Sequence, residues 1–143
     1  MLRDTPLKEI MVTKVITVRA DEAFSHVEEK LRVNKIRHLP VVDKDNKLIG
    51  IITERDLYKA VSPRHTEDGL VYDKSQLDSF VLKRYMTENP LTLKPESPIS
   101  EAVNLMATRK YGCIPIIYTD GALAGIVTQI DILKFVNRWF GAT

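Results

Sequence analysis

At 143 residues the chain is long enough to bury a core. Its net charge of +2, with both signs interspersed, gives nucleic acid no support as the main partner. No run of about 18 apolar residues is available to span a bilayer, and the first residues, Met1-Leu2-Arg3-Asp4-Thr5-Pro6, lack the apolar core of a signal peptide. The single Cys113 makes no internal disulfide, which fits a reducing compartment, so a cytoplasmic location is expected.

In chain order, Thr5 offers a cap for a brief turn with Pro6 at its first position. Residues 15–18 are short and β-branched and read as a strand. Asp21 offers an N-cap for a helix to about Asn34, with Phe24, Val27 and Leu31 on one face. Residues 38–42 and 48–53 read as strands. The turn at 43–47 between them is too short for a crossover, so the pair is antiparallel. Thr53 then caps a helix through about Val61. Residues 62–69 read as loop, with a mobile tip near 63–72, and 75–82 as a short helix.

A second series follows: a strand at 91–93, Ser97 as cap with Pro98 behind it, and a helix with Ile99, Ala102, Val103 and Met106 inward. A strand at 114–118 turns at Asp120-Gly121, a hairpin signal, into a strand at 123–128. The last helix runs to about Gly141. Ile132, Leu133, Val136, Trp139 and Phe140 form its apolar face, read as core in preference to a partner surface.

The two series are copies. Residues 39–56 return as 114–131, and an offset of 75 holds without a gap. Identical pairs include Met11/Met86, Pro40/Pro115, Gly50/Gly125, Thr53/Thr128 and Asp56/Asp131. Chance does not align about fifty residues in this way, and a single supersecondary unit rarely buries its own apolar side. Two half-size lobes are expected.

A β-α-β-β-α unit carrying apolar-Pro-apolar-apolar-Asp, then Gly, then Thr-x-x-Asp at this spacing resembles a CBS motif. Two in tandem resemble a CBS pair, or Bateman module, over residues 6–61 and 81–140. The second copy departs at Tyr118, where the first has Asp43. The resemblance implies an α+β fold of two repeats with pseudo-twofold symmetry, sheets packed on helices. The first repeat with its lead-in is 1–61, the linker 62–80 and the second repeat 81–143. It further implies two clefts between the repeats for adenosine-type ligands, a flat disc-like homodimer, and control of a separate partner, since this length leaves no room for an attached enzyme.

Thr53 and Thr128 each end a strand and open a helix, where a hydroxyl and nearby N–H groups suit a phosphate. Asp56 and Asp131, one turn on, suit a ribose diol; the plainer reading is an N-cap and a first-turn acid. Arg37, His38 and Arg55 of the first repeat are matched by Gly112, Cys113 and Ile130 in the second, so a phosphate would favour the first. The plainer alternatives are surface charge for the arginines and a partly buried histidine for His38. Val15, Ile16, Ile36 and Pro40 could line one base slot, and Pro90, Leu91, Tyr111 and Pro115 the other, where Tyr111 beside Gly112 could stack on a purine; all are adequate core residues too. Cys113 reads as an inert thiol, and His26 and His65 as surface residues without a metal site.

The expected function is a sensor that binds AMP, ADP or ATP as a regulatory ligand and reports to an unidentified protein partner. No paired nucleophile and base, metal cluster or Gly-rich phosphate loop supports an enzyme or a catalytic cofactor. S-adenosylmethionine is the rival ligand. A structural or nucleic-acid adaptor with vestigial clefts is the rival class.

Overall fold

The computed structural model describes residues 2–141. It divides into two compact units, one of residues 16–90 and one joining the chain up to Val15 with the chain from Leu91 onward. The repeats counted along the sequence therefore do not coincide with the compact units. The lead-in of the first repeat packs with the second motif, and residues 81–90 pack with the first.

In the 16–90 unit, β1 is Val18–Arg19, α1 Phe24–Asn34, β2 His38–Val42, β3 Leu48–Thr53 and α2 Glu54–Ala60. The hairpin β4 Arg64–Thr66 and β5 Gly69–Val71, the short α3 Lys74–Leu77 and β6 Thr87–Glu88 follow. The sheet order is β1-β2-β3-β6, with β1 parallel to β2 and the other pairs antiparallel. Phe24, Val27 and Leu31 of α1 bury against Leu39, Val41, Ile52 and Leu57. Leu77, Leu82 and Met86, from the joint between the repeats, close the same core.

The other unit repeats the plan with α4 Ile99–Arg109, β7 Cys113–Ile117, β8 Leu123–Thr128 and α5 Gln129–Trp139. Val12 bridges Ile126 antiparallel and Leu93 bridges Ile116 in parallel. These are the counterparts, at the offset of 75, of the pairs Thr87–Ile51 and Val18–Val41. Its core joins Leu7 of the lead-in to Leu93, Ile99, Ala102, Ile114 and Val127.

The duplicated glycines explain the exchange of lead-ins. A Cβ on Gly50 would lie 2.7 Å from Met86 Sδ and 2.9 Å from the Thr87 carbonyl oxygen. A Cβ on Gly125 would lie 2.6 Å from the Val12 carbonyl oxygen and 2.9 Å from Met11 Sδ. Each glycine is thus the place where the borrowed segment crosses the strand, and the duplicated methionine covers it.

Several sequence expectations are corrected. Pro6, not Thr5, precedes the turn Leu7–Glu9, and the Thr5 hydroxyl donates backward to the Leu2 carbonyl at 2.8 Å. The strand expected at 15–18 shrinks to Val18–Arg19. The strand expected at 91–93 is a single bridge, while Thr87–Glu88 forms one instead. Ala23 and Pro98 stand at the N-caps assigned to Asp21 and Ser97, without side-chain capping bonds. The α1 N-terminus is satisfied from a distance instead, because Asp78 accepts from the Ser25 N–H at 2.9 Å.

The segment expected as loop over 62–69 enters the β4–β5 hairpin, and the helix expected over 75–82 is confined to Lys74–Leu77. Val103, expected inward, is exposed. Trp139 and Phe140, expected in the core, are 63% and 80% exposed, whereas Phe135 is buried. The helix turns at 3.6 residues each, and its inward stripe runs through Ile132, Phe135 and Val136, which leaves Leu133 outside.

Replacing Gly50 or Gly125 by alanine is expected to cost about 1–3 kcal/mol through overpacking. Urea denaturation should show the loss. Wild-type midpoints for both variants would refute the crossing as a steric constraint.

Candidate ligand-binding site

The two Thr-x-x-Asp turns have the same local geometry. At the β3–α2 junction the Thr53 N–H donates to Asp56 Oδ2 at 2.8 Å, and the Thr53 hydroxyl donates to the same oxygen at 3.1 Å. The Asp56 N–H donates back to Thr53 Oγ1 at 3.3 Å. At the β8–α5 junction the Thr128 N–H and hydroxyl donate to Asp131 Oδ2 at 2.8 and 2.9 Å, and the Asp131 N–H returns the bond at 3.4 Å. Both are capping boxes.

This changes the part expected of each residue. The threonine hydroxyls, read from the sequence as phosphate donors, are engaged by their own aspartates. The Glu54 and Gln129 N–H groups are taken as well, by the carbonyls of Arg37 and Gly112 at 3.1 and 3.3 Å. Each turn also leaves one carboxylate oxygen. Oδ1 of Asp56 and of Asp131 accepts no hydrogen bond among the described residues, and neither is among the buried unsatisfied atoms. A carboxylate oxygen in that state can accept from a ribose hydroxyl.

His38 stands opposite Thr53 in the β2–β3 register, and Cys113 stands opposite Thr128. Burial, reinforced by the neighbouring Arg37 charge, holds the His38 imidazole below its ordinary value, while Asp56 pulls the other way. Cys113 is buried, and burial together with the Asp131 carboxylate pushes its thiol up to about 12. It carries no thiolate at neutral pH, so it is inert.

The remaining candidates are divided between the two compact units. Val15 falls in the unit of Thr128 and Asp131, and Ile16 in the unit of Thr53 and Asp56. Pro90 goes with the latter and Leu91 with the former. Pro40 and Pro115 are buried within β2 and β7. Leu91 and Tyr111 are half-buried against the core of their unit, as Ile36 is against its own. Arg55 is exposed at the first turn of α2. Arg37 lines a cavity on another face of α2, with Glu54 and Tyr58 and without Thr53 or Asp56.

Residues missed in the sequence reading adjoin Asp131. A cavity of about 430 Å³ is lined by Asp131, Lys134, Asn137 and Arg138 of α5 with Glu9 and Ile10. The second motif is therefore not short of cations; they lie along the helix and not at the strand ends. Their spacing of three and seven from Asp131 is legible as one helical face, whereas the approach of Glu9 depends on the borrowed lead-in.

Fold and turns together define a tandem-repeat α+β module whose two capping aspartates each leave one carboxylate oxygen without a hydrogen bond among the described residues. The CBS domain family matches at residues 7–63 and 82–138, and the chain belongs to it. It is 36% identical over 136 residues to a CBS domain-containing protein of Dictyostelium discoideum, covering 92% of this chain and 91% of that protein. The CBS domain pair of protein MJ0100, solved with 5′-methylthioadenosine and S-adenosyl-L-methionine, superposes with a TM-score of 0.75 at 26% identity, covering 92% of this chain and 99% of that one. The protein CBSX2, solved with AMP, gives a TM-score of 0.76 at 20% identity over 94% and 98% of the two chains, and at that identity shows the fold alone. No helix among the described residues is long and apolar enough to cross a membrane.

The His38 environment fixes a sign. The imidazole is neutral in the fold and charges more readily in the unfolded chain, so its contribution is complete above about pH 6.5 and declines as pH falls through that value. Urea midpoints measured from pH 8 to 5 should fall less steeply for His38→Gln than for wild type. Parallel profiles would remove His38 as a cause.

Proposed function

We propose that the protein is a non-catalytic sensor of adenosine-containing ligands, with an adenine nucleotide as the regulatory ligand and a separate protein partner as its target. The observation that carries this reading is the aspartate of each capping box. One oxygen holds the helix and the other is left for a ribose, and the arrangement is built twice. Relatives with the same repeats are recorded with AMP, 5′-methylthioadenosine and S-adenosylmethionine. Arg55 beside the first turn, and Lys134 and Arg138 beside the second, supply the positive charge that a phosphate needs, and the neutral His38 imidazole beside the first turn can offer it a hydrogen bond. S-adenosylmethionine is the second reading, supported by the MJ0100 pair.

Isothermal titration of AMP, ATP, adenosine and S-adenosylmethionine tests this directly. Asp56→Ala would also remove the capping box, at roughly 1 kcal/mol. Asp56→Asn and Asp131→Asn keep an acceptor for the threonine and are the cleaner variants. Each should weaken one site. AMP should bind about tenfold tighter than adenosine, the effect of one charge-assisted hydrogen bond, and an excess a hundredfold above its dissociation constant should stabilise the fold by about 2.7 kcal/mol. Equal affinities for adenosine and AMP would remove the role given to the cations. Absence of binding by any adenine compound would leave the adaptor function instead.

A homodimer belongs to the same proposal. Ile130, Leu133 and Phe140 line one shallow depression along α5 and are 57%, 61% and 80% exposed. Isologous pairing with a second copy would cover them. Light scattering should give a dimer mass at tens of micromolar, and Leu133→Lys should shift it toward monomer. A wild-type monomer would overturn the assignment.

A further inference from the structure

The joint between the repeats builds a cavity that the Thr-x-x-Asp turns do not use. The β4–β5 hairpin and Tyr72 stand beside the C-terminal half of α1 and the outer face of α2, enclosing about 340 Å³. That volume lies near the lower end of small-molecule sites, about 300–1,000 Å³. Leu31 and Leu57, both in the core, and half-buried Ile36 make an apolar base. Tyr58 and Tyr72 supply two rings, with centroids 6.2 Å apart and planes tilted by 56°. The Tyr72 hydroxyl has no accessible surface and no hydrogen-bond partner among the described residues, so its ring, not its oxygen, is what it offers a ligand. Leu70 of the hairpin, 43% exposed, lines the same cavity.

The charge around the cavity is unequal. Arg32 is paired with Glu28, Nε to Oε1 at 2.8 Å. Lys35 and Arg37 make no ion pair among the described residues, and Glu54 is the single unpaired carboxylate facing them. Two free cations against one free anion leave an excess of one positive charge beside an apolar, ring-walled base. Arg37 projects from the segment that joins α1 to β2. Lys35 closes α1 in the left-handed conformation, at φ 53°.

The geometry points to a second ligand site here, for a small planar aromatic acid: ring against Tyr58, Tyr72 and Leu57, carboxylate toward Lys35 and Arg37. The site occurs once per chain, because the second repeat carries Gly112 and Leu133 where the first has Arg37 and Tyr58. It shares neither Thr53 nor Asp56 with the nucleotide reading and does not depend on it.

The probe is 2-naphthoate, titrated into the full chain by calorimetry and followed by amide chemical shifts. One equivalent should bind, with the largest shifts at Ile36, Leu57, Leu70 and Tyr72. The uncharged 2-naphthylmethanol should bind about tenfold more weakly, as should wild-type ligand to Arg37→Gln, since each loses one charge-assisted contact. Leu70→Asp should weaken binding as well, and Lys83→Gln, an exposed cation elsewhere, should leave it unchanged. Saturating AMP should not displace the probe. Equal affinity for acid and alcohol, shifts that map elsewhere, displacement by AMP, or no binding at millimolar probe would each overturn the site.

Discussion

The structure depends on a backbone crossing that only glycine allows. Gly50 and Gly125 lie under carbonyl oxygens and methionine sulfurs that a Cβ would strike. In each case the crossing segment comes from the lead-in of the other repeat. The strand pairs Thr87–Ile51 and Val12–Ile126, and the placement of Met86 and Met11, follow from that approach. So does the division into compact units, since Leu7 and Leu82 each enter the core of the motif that is not their own. An apolar half-domain that cannot close on itself borrows its cover from its copy.

In the proposed function one residue of each capping box serves structure and recognition together. A helix that starts directly from a strand has no loop in which to satisfy its first N–H groups. Thr and Asp satisfy them reciprocally, and the aspartate needs only one oxygen to do so. The other oxygen is then fixed in position by the same bonds that hold the helix, at no further entropy cost on binding. On that proposal removing the aspartate is a poor probe of binding, because fold and ligand would draw on the same carboxylate.

Duplication made the halves alike in backbone and left them free to differ in side chains. The register, the strand irregularities at Val41/Val42 and Ile116/Ile117, and the left-handed Lys35 and Lys110 repeat faithfully. The surfaces do not. Beside α1 and α2 the inter-repeat hairpin covers a base flanked by Tyr58 and Arg37. On α5 the corresponding positions carry Leu133 and, before β7, Gly112, so that surface is apolar and open.

The sequence alone determined the two copies, the antiparallel strand pairs, the inward faces of α1 and most of α4, and the Thr-x-x-Asp turns. These are local or periodic: alternation fixes a strand face, 3.6 residues per turn fix a helix face, and a repeated motif fixes itself. It misassigned Trp139 and Phe140 to the core, because an apolar stripe states that burial is favourable and not what is present to bury it. Only the tertiary structure decided where the lead-ins dock, that Asp78 closes the α1 N-terminus from 53 residues away, and that the segment after α2 forms a hairpin. It also decided that the threonine hydroxyls are already engaged and that Arg37 lines a cavity to which Asp56 does not contribute. Each of these depends on which distant segment supplies the partner, and a steric or hydrogen-bonding partner far along the chain leaves no periodic trace in the residues that receive it.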